Sequence, residues 1–273
     1  MTKVVAITGA SNRMGKAALQ LFAKRGWTVY GGARRVEKIP TGTNMHALKL
    51  DVTDSQSNQQ FIKTILDEQQ HIDVLINNAG YGEGGPIEDV PIENARKQFN
   101  TNFFGAAELT KLVLPSMRAQ GCGRIVNISS IGGDVYMPLN SYYHASKAAL
   151  QQWSDTLDVE VQKFGIRSVI VQPGGTQSSW GAITMDNVRK NLKPDSVYQP
   201  FVDGVDQLFN GSTSTITATS ADLARVFYSA ATDMKTKQRY FNSFGDRLIV
   251  RVARAHPKFY RAASTAILNH LVR

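Results

Sequence analysis

Apolar and polar positions alternate in two rhythms along this chain. Short apolar runs bounded by turn residues predict strands at 3–8, 28–33, 45–50, 73–77, 124–128 and 168–172. Between them, apolar residues recur three and four apart, the spacing of helices with one buried face. One such stretch covers 15–25 and is closed by Gly26; another starts at Asp54, with Phe61, Ile62, Ile65 and Leu66 on one face. A third runs from about Asn102 to Met117, with Pro115 near its end, and a fourth covers 141–164. The alternation predicts an α/β fold, a doubly wound parallel sheet of Rossmann type with helices on both faces, in one domain over 1–273. Residues 174–218 break the rhythm. They are rich in Ser, Thr, Gln and Asn, with Trp180, Met185, Phe201, Leu208 and Phe209 scattered among them. They read as an irregular insertion of the kind that covers a substrate. Helical spacing returns after Pro257, where Tyr260, Ala263, Ile267, Leu268 and Leu271 form an apolar stripe with Ser264 beside it.

Composition narrows the class. A chain of 273 residues that is 42% hydrophobic can bury one large core. The single cysteine, Cys122, excludes an internal disulfide and a Cys-based metal site; between Gly121 and Gly123 it reads as a dispensable turn residue. No His, Asp or Glu cluster has metal-ligand spacing, so no metal is expected. No run approaches the ~20 apolar residues of a membrane span. Met1-Thr2-Lys3 leads straight into a strand pattern, and the expectation is a soluble, cytoplasmic protein. The net charge of +9 is uneven. The helical tail, 247–273, holds Arg247, Arg251, Arg254, Lys258, Arg261 and Arg273 and no acid, which leaves the body only mildly basic. Without an Arg-rich run interleaved with aromatics, nucleic acid is not an expected partner. The tail stripe is read as packing on its own domain or on a second subunit, with contact to a membrane surface as the alternative.

The 141–164 helix carries the first chemical signal. Leu150, Trp153, Leu157, Val161 and Phe164 share one stripe, and one turn back that stripe runs through Lys147 and Tyr143. Side chains four apart on a helix are neighbours, with Cβ atoms roughly 5–6 Å apart. A lysine on the buried side of a helix is costly unless it has a task. An ammonium near a phenol favours the phenolate, so Tyr143 is expected to titrate below its reference value of about 10. Such a tyrosine exchanges a proton with a carbonyl/alcohol pair. Tyr142 does not qualify, because the residue four further on is Ser146.

A second signal lies between the first strand and helix, in Thr8-Gly9-Ala10-Ser11-Asn12-Arg13-Met14-Gly15. A glycine-rich turn there lets backbone N–H groups meet a dinucleotide pyrophosphate at the helix N-terminus. Folds that use NAD usually end the second strand on an acid for the ribose 2′-OH. Here that position is Ala33, followed by Arg34 and Arg35. Arginine grips a 2′-phosphate through a planar fork of donors. Arg13, Arg34 and Arg35 together argue for NADPH over NADH; the plainer alternative makes Arg34 and Arg35 solvated loop charges.

Ser130 stands thirteen residues before Tyr143, Asn102 twenty-eight before Ser130, and Asn77-Asn78-Ala79-Gly80 follows the fourth strand pattern. With Thr8-Gly9 and Gly15, this ordered set over residues 3–176 resembles the short-chain dehydrogenase/reductase family in its single-domain form. Tyr81-Gly82, after the Asn-Asn-Ala-Gly string, is most similar to the 17β-hydroxysteroid-dehydrogenase-like branch. The loop departs from the family's T-G-x-x-x-G-x-G, because Arg13 replaces the middle glycine.

The resemblance implies an NADP(H)-dependent oxidoreductase acting on a small-molecule carbonyl or alcohol. It implies Tyr143 as general acid and base, and Lys147 as the group that lowers the Tyr143 pKa and holds the nicotinamide ribose. Ser130 would donate to the substrate carbonyl, and Asn102 would orient a water that passes protons to Lys147. Cofactor contacts are implied at Gly9, Ser11, Asn12, Arg13, Met14 and Gly15 of the loop, and at Arg34 and Arg35. Asp51 and Val52 match the adenine pair, Asn78, Ala79, Gly80 and Thr101 the adenosine and pyrophosphate side, and Pro173, Gly174 and Thr176 the nicotinamide side. A mobile substrate cover at 174–218 and a homodimer or homotetramer, pairing the helices near 102–117 and 142–164, are also implied. The apolar residues of 174–218, with Tyr136 and Met137, favour a bulky apolar ketone or aldehyde. Plainer readings make Ser130 a turn residue, Asn102 a helix cap and His144 structural. A cofactor-binding regulator without turnover would be expected to have lost Tyr143 or Lys147. An isomerase or dehydratase is disfavoured by the complete set of four.

Overall fold

The apolar runs become the strands of one sheet. The computed structural model describes residues 2–176, 180–211 and 218–271, without the side chains of 180–183, 208–211 and 267–271. The chain forms β1 (Val4–Thr8), α1 (Arg13–Lys24), β2 (Thr28–Ala33), β3 (Met45–Lys49), α2 (Ser55–Gln69) and β4 (Val74–Asn77). There follow α3 (Ile92–Phe99), α4 (Gly105–Gln120), β5 (Gly123–Ile128), α5 (Ser141–Val161) and β6 (Ile166–Gln172). The last third adds α6 (Trp180–Asn191), α7 (Gln199–Gly211), α8 (Ser220–Thr232), β7 (Arg239–Phe241), α9 (Phe244–Ala255) and α10 (Pro257–Leu271). The strand order is β3-β2-β1-β4-β5-β6-β7, and every pairing is parallel.

A parallel sheet must be covered on both faces, which is why β1 is buried along its whole length. Its residues alternate between two cores. Val5 and Ile7 meet Leu19 and Phe22 of α1 and Leu223 and Phe227 of α8. Val4 and Ala6 face Phe61 and Ile65 of α2, Leu109 and Val113 of α4, and Leu157 and Val161 of α5. Each large apolar side chain so buried contributes roughly 1.5–3 kcal/mol. From β1 the chain winds outward to β2 and β3, then crosses back to β4 on the other side of β1. Such a switch point leaves a crevice beyond the C-terminal ends of β1 and β4.

Four expectations need correction. The helix expected to begin at Asn102 begins at Ile92 and runs to Gln120, with a π-helical turn at Asn100–Phe104. Its first segment buries only Ala95 and the polar Gln98, so hydrophobic spacing does not reveal it. The described residues of 174–218 are largely helical, forming α6 and α7. There Met185, Val188, Val202 and Val205 pack on Leu139, with Phe201 partly buried beside them. Trp180, Leu208 and Phe209 lie outside the described side chains. Phe164 leaves the α5 stripe: the helix ends at Val161, and Phe164 is 37% exposed on the turn after it. In the tail, Tyr260 packs edge-on against Tyr136, Ser264 is half-buried and Ala263 is exposed. Ile267, Leu268 and Leu271 lie outside the described side chains. Among the described residues, no helix is long and apolar enough to cross a membrane, and no cluster of His, Cys, Asp and Glu could hold a metal ion.

Candidate active site

The loop after β1 is built for close backbone approach. Asn12 caps α1, its side chain accepting from Arg13 N at 2.8 Å. Gly9 has φ +69°, and Gly15 lies so near that an added Cβ would stand 2.3 Å from Gly9 O. Arg13, at the missing glycine, adopts φ +48°, a left-handed conformation that costs a side-chain-bearing residue roughly 1–2 kcal/mol. The Met14 side chain is half-buried and packs against the core. Across the switch point, Thr8 Oγ1 accepts from Asn78 N at 2.9 Å and Ala79 N at 2.8 Å, while Asn78 Nδ2 donates to Thr8 O at 2.8 Å. Asn78 thus braces the loop from behind.

Beyond β1 and β2 lies a cleft of about 560 Å³, lined among others by Gly9, Ser11, Arg34, Arg35, Asp51, Val52, Ala79, Gly80 and Thr101. Burial would raise the Asp51 pKa, but hydrogen bonds from Thr53 and the charge of Arg34 outweigh it and hold the carboxyl below its ordinary value. Arg34 also acts on Tyr81, whose phenol burial pushes up to about 12. Arg34 therefore stands over the cleft between Asp51 and Tyr81. Ser11, Asn12 and Arg35 also line a neighbouring cavity of about 590 Å³, with Lys16 and Lys38. Tyr81, read from sequence only as a mark of the family branch, lines the same cleft, as do Lys97 and Asn100, which the sequence did not point to. Lys97 and Asn100 lie four and one residues before Thr101, so helical spacing could have found them.

The four candidate catalytic residues come together from three elements. Ser130, just past β5, caps a short 3-10 turn, its Oγ accepting from Gly132 N at 3.0 Å and donating to Pro173 O at 3.3 Å. Tyr143 and Lys147 occupy the first turns of α5, 8% and 6% exposed. Lys147 Nζ lies 5.9 Å from the centroid of the Tyr143 ring and donates to Ile128 O at 2.9 Å. Asn102, 1% exposed, sits on the π turn. Its Oδ1 accepts from Tyr81 N, and its Nδ2 donates to Tyr81 O and Ser146 Oγ, each at 3.0 Å. It is therefore no helix cap. The widened turn aims its amide between the loop after β4 and α5, and π turns often mark functional sites. Gly80 leaves room where these meet: an added Cβ would lie 3.0 Å from Asn102 Oδ1 and 3.3 Å from Lys147 Nζ. Ser146, fully buried, donates to Tyr143 O at 2.8 Å and ties Asn102 to the tyrosine. Its signal was a small polar residue three positions after Tyr143 on the buried helix face.

The electrostatics correct one expectation. Burial pushes the Tyr143 phenol up, opposed by its hydrogen bond with Ser130. Burial instead lowers the Lys147 ammonium to about 8. His144 lies with its ring centre 5.7 Å from that of Tyr143. Burial lowers its pKa, and the ring spans Gly132 O (2.7 Å from Nδ1) and Met137 N (3.2 Å from Nε2). On the remaining side, Gly174 N donates to Asn242 Oδ1 at 3.1 Å. Gly174 also lies so close to Asp246 that any side chain would collide with its carboxylate. Thr176 bridges to Ala218. Asn242 and Asp246 were invisible from sequence, nearly seventy residues away.

The model of the short chain dehydrogenase family matches residues 3–187, and the chain belongs to that family. A 3-ketodihydrosphingosine reductase of Bacteroides thetaiotaomicron is 44% identical over 172 residues, 63% of each chain. A short-chain dehydrogenase of Streptomyces avermitilis has a solved structure with TM-score 0.80 and 31% identity, covering 97% of this chain and 96% of its own. The fold is also shared with a short chain dehydrogenase from Burkholderia cenocepacia solved with NADP (TM-score 0.77, 21% identity, 96% and 97% covered). One from Burkholderia phymatum was solved with NAD (TM-score 0.80, 18% identity, 94% and 95% covered). The protein is thus an oxidoreductase of this family.

Proposed function

We propose that the protein is an NADPH-dependent reductase of a bulky, largely apolar ketone or aldehyde, working reversibly. One observation carries the reading: the Ser130 hydroxyl on the Tyr143 phenol, with the Lys147 ammonium behind the ring. The crevice fits a dinucleotide, since Gly9 and Gly15 let the β1–α1 turn pack closely on itself and on Asn78, and Gly80 clears the space before Lys147. Arg34, Arg35 and Arg13 would hold the 2′-phosphate end, Asp51, Val52 and Thr101 the adenosine, and Lys147 the nicotinamide ribose. Pro173, Gly174 and Thr176 would flank the nicotinamide. When bound, the nicotinamide supplies the hydride.

The protein supplies the proton and the orientation. Ser130 donates to the carbonyl oxygen and draws it toward Tyr143. Tyr143, kept protonated by burial, gives its proton to that oxygen as charge develops. Lys147, with a pKa near 8, can exchange a proton close to neutral pH, and Asn102 holds the path beside it. Tyr136 and Met137, 48% and 45% exposed after Ser130, would offer apolar contact to the substrate. The name of the Bacteroides relative, a reductase of a keto compound, agrees with ketone reduction. We place the enzyme in the 17β-hydroxysteroid-dehydrogenase-like branch, as a cytoplasmic homo-oligomer.

A panel of ketones and aldehydes, 3-ketodihydrosphingosine among them, tests the reading through NADPH absorbance. Turnover of long or polycyclic ketones, with small polar ones refused, is expected. No oxidation of NADPH with any of them would reject it.

A further inference from the structure

We propose that Arg254, on α9, is a positioning residue for Ser130, setting its backbone through Asp134 and two buried glutamines. The inference rests on the catalytic reading of Ser130.

Ser130 opens the 3-10 turn Ile131–Gly133, and Asp134 closes it, donating to Ile131 O at 2.8 Å. The Ser130 carbonyl accepts two side-chain amides, from Gln151 at 3.0 Å and Gln172 at 3.3 Å. These glutamines are 3% and 0% exposed. An amide can serve that carbonyl only with its NH2 turned inward; reversed, it would set oxygen against oxygen. One guanidinium fixes both. Arg254 Nη2 donates to Gln151 Oε1 at 3.4 Å, which leaves the NH2 of Gln151 for Ser130 O and for Ser129 Oγ at 3.1 Å. Arg254 also pairs with Asp134 Oδ1 at 2.5 Å, and the other oxygen of Asp134 accepts from Gln172 Nε2. Gln172 Oε1 has no hydrogen-bond partner, so only its donor side orients it. Ser129 Oγ in turn donates to Lys147 O at 3.1 Å.

The effect should separate from stability. The Arg254 side chain is 47% exposed but that of Asp134 only 6%, so Arg254→Met costs stability by stranding a buried carboxylate, whereas Asp134→Asn removes that charge and separates the two effects. Helix α9 stays docked through Val250 and Ala253 against Val135. The turn keeps Ile131 N on Pro173 O and His144 on Gly132 O. What is lost is the setting of Ser130 against Tyr143, and that bond draws the phenol toward ionisation. Lys147 and His144 also approach the Tyr143 ring, with the ammonium 5.9 Å and the imidazole centre 5.7 Å from its centroid.

The test compares Arg254→Met, Arg254→Lys and Asp134→Asn with Ser130→Ala in the full chain, in both reaction directions. Arg254→Met should lower kcat at least tenfold and leave NADPH affinity within twofold, with a melting temperature below that of Asp134→Asn because it strands the buried Asp134 carboxylate. In alcohol oxidation, the limb set by the Tyr143 phenol should move to higher pH. Arg254→Lys should recover part of both changes. Asp134→Asn should reproduce them, and the double variant should lose no more than either single one. Wild-type kcat and an unmoved limb in Arg254→Met would overturn the proposal. So would losses that follow melting temperature alone. Should Arg254→Met not fold, an unmoved limb in Arg254→Lys and Asp134→Asn would overturn it equally. If Ser130→Ala itself keeps full turnover, the catalytic reading fails instead, and the two failures are distinct.

Discussion

Lys147 places its ammonium 5.9 Å from the centre of the Tyr143 ring, yet the two groups respond to burial in opposite directions: the phenol is pushed up, the ammonium down to about 8. Both shifts favour the neutral form. The protonated phenol is the form that reduction needs, and the phenolate is the form that oxidation needs. Reduction should therefore run undiminished at neutral pH and fall on the alkaline side, while alcohol oxidation should rise there. Rate profiles in both directions check this; an oxidation optimum at or below pH 7 would contradict it.

Tyr143→Phe keeps the ring and removes the proton. Turnover should drop at least a thousandfold with NADPH binding within about twofold, as read by fluorescence titration. A residual rate above a few per cent would remove Tyr143 from its role.

Lys147→Met should lose activity and gain stability. Lowering the pKa from 10.5 to about 8 corresponds to roughly 3 kcal/mol held against the folded state at neutral pH. The sign follows from proton binding: between about 8 and 10.5 the unfolded chain binds more protons, so this lysine's contribution improves as pH rises through that window. Methionine removes the charge but orphans Ile128 O, which leaves a net gain of about 1–2 kcal/mol. Denaturant unfolding at pH 7 measures it. Equal stability at pH 7 would mean that the ammonium is better solvated than its burial implies.

Arg34 should decide the nucleotide. A charge-assisted hydrogen bond contributes roughly 1.5–3 kcal/mol, about ten- to a hundredfold in affinity. NADPH should be preferred over NADH by more than about tenfold, less so at high salt. Ala33→Asp with Arg34→Ala should invert the preference, and Arg34→Ala should cost more than Arg13→Ala. Equal use of NADH by the wild type would leave the arginines as surface charges. Arg13→Gly should separately raise stability by about 1 kcal/mol, because it relieves a φ of +48°.

The outer face of α4 and α5 should carry the subunit contact. Phe104 and Val159 are 56% and 69% exposed, and Phe103 meets Trp153 edge-on at 6.1 Å beside them. Phe104→Glu with Val159→Arg should give a monomer by light scattering, where the wild type is a dimer or larger. An unchanged mass would place the interface elsewhere.

Much of this was legible in sequence because it is local. Strands β1 to β6 follow from apolar runs, since a parallel strand covered on both faces must be apolar throughout. Tyr143 and Lys147 meet because a helix brings residues four apart together. The β1–α1 loop and the arginines after β2 lie beside the cleft for the same kind of reason: a chain that leaves a strand end has nowhere else to go. Tertiary structure decided the rest. The π turn that aims Asn102 at Tyr81 and Ser146 arises within a continuous helix whose buried residues include Gln98, so hydrophobic spacing could not announce it. Burial alone reversed the expected shift of Tyr143, because the cost of a phenolate depends on everything packed around it, not on one nearby lysine. Arg254 reaches Asp134 across 120 positions of sequence, and Asn242 reaches Gly174 across 68, through helices and an edge strand with no local signal. Periodicity records which face of an element is buried; only the packed chain determines which distant groups share that burial.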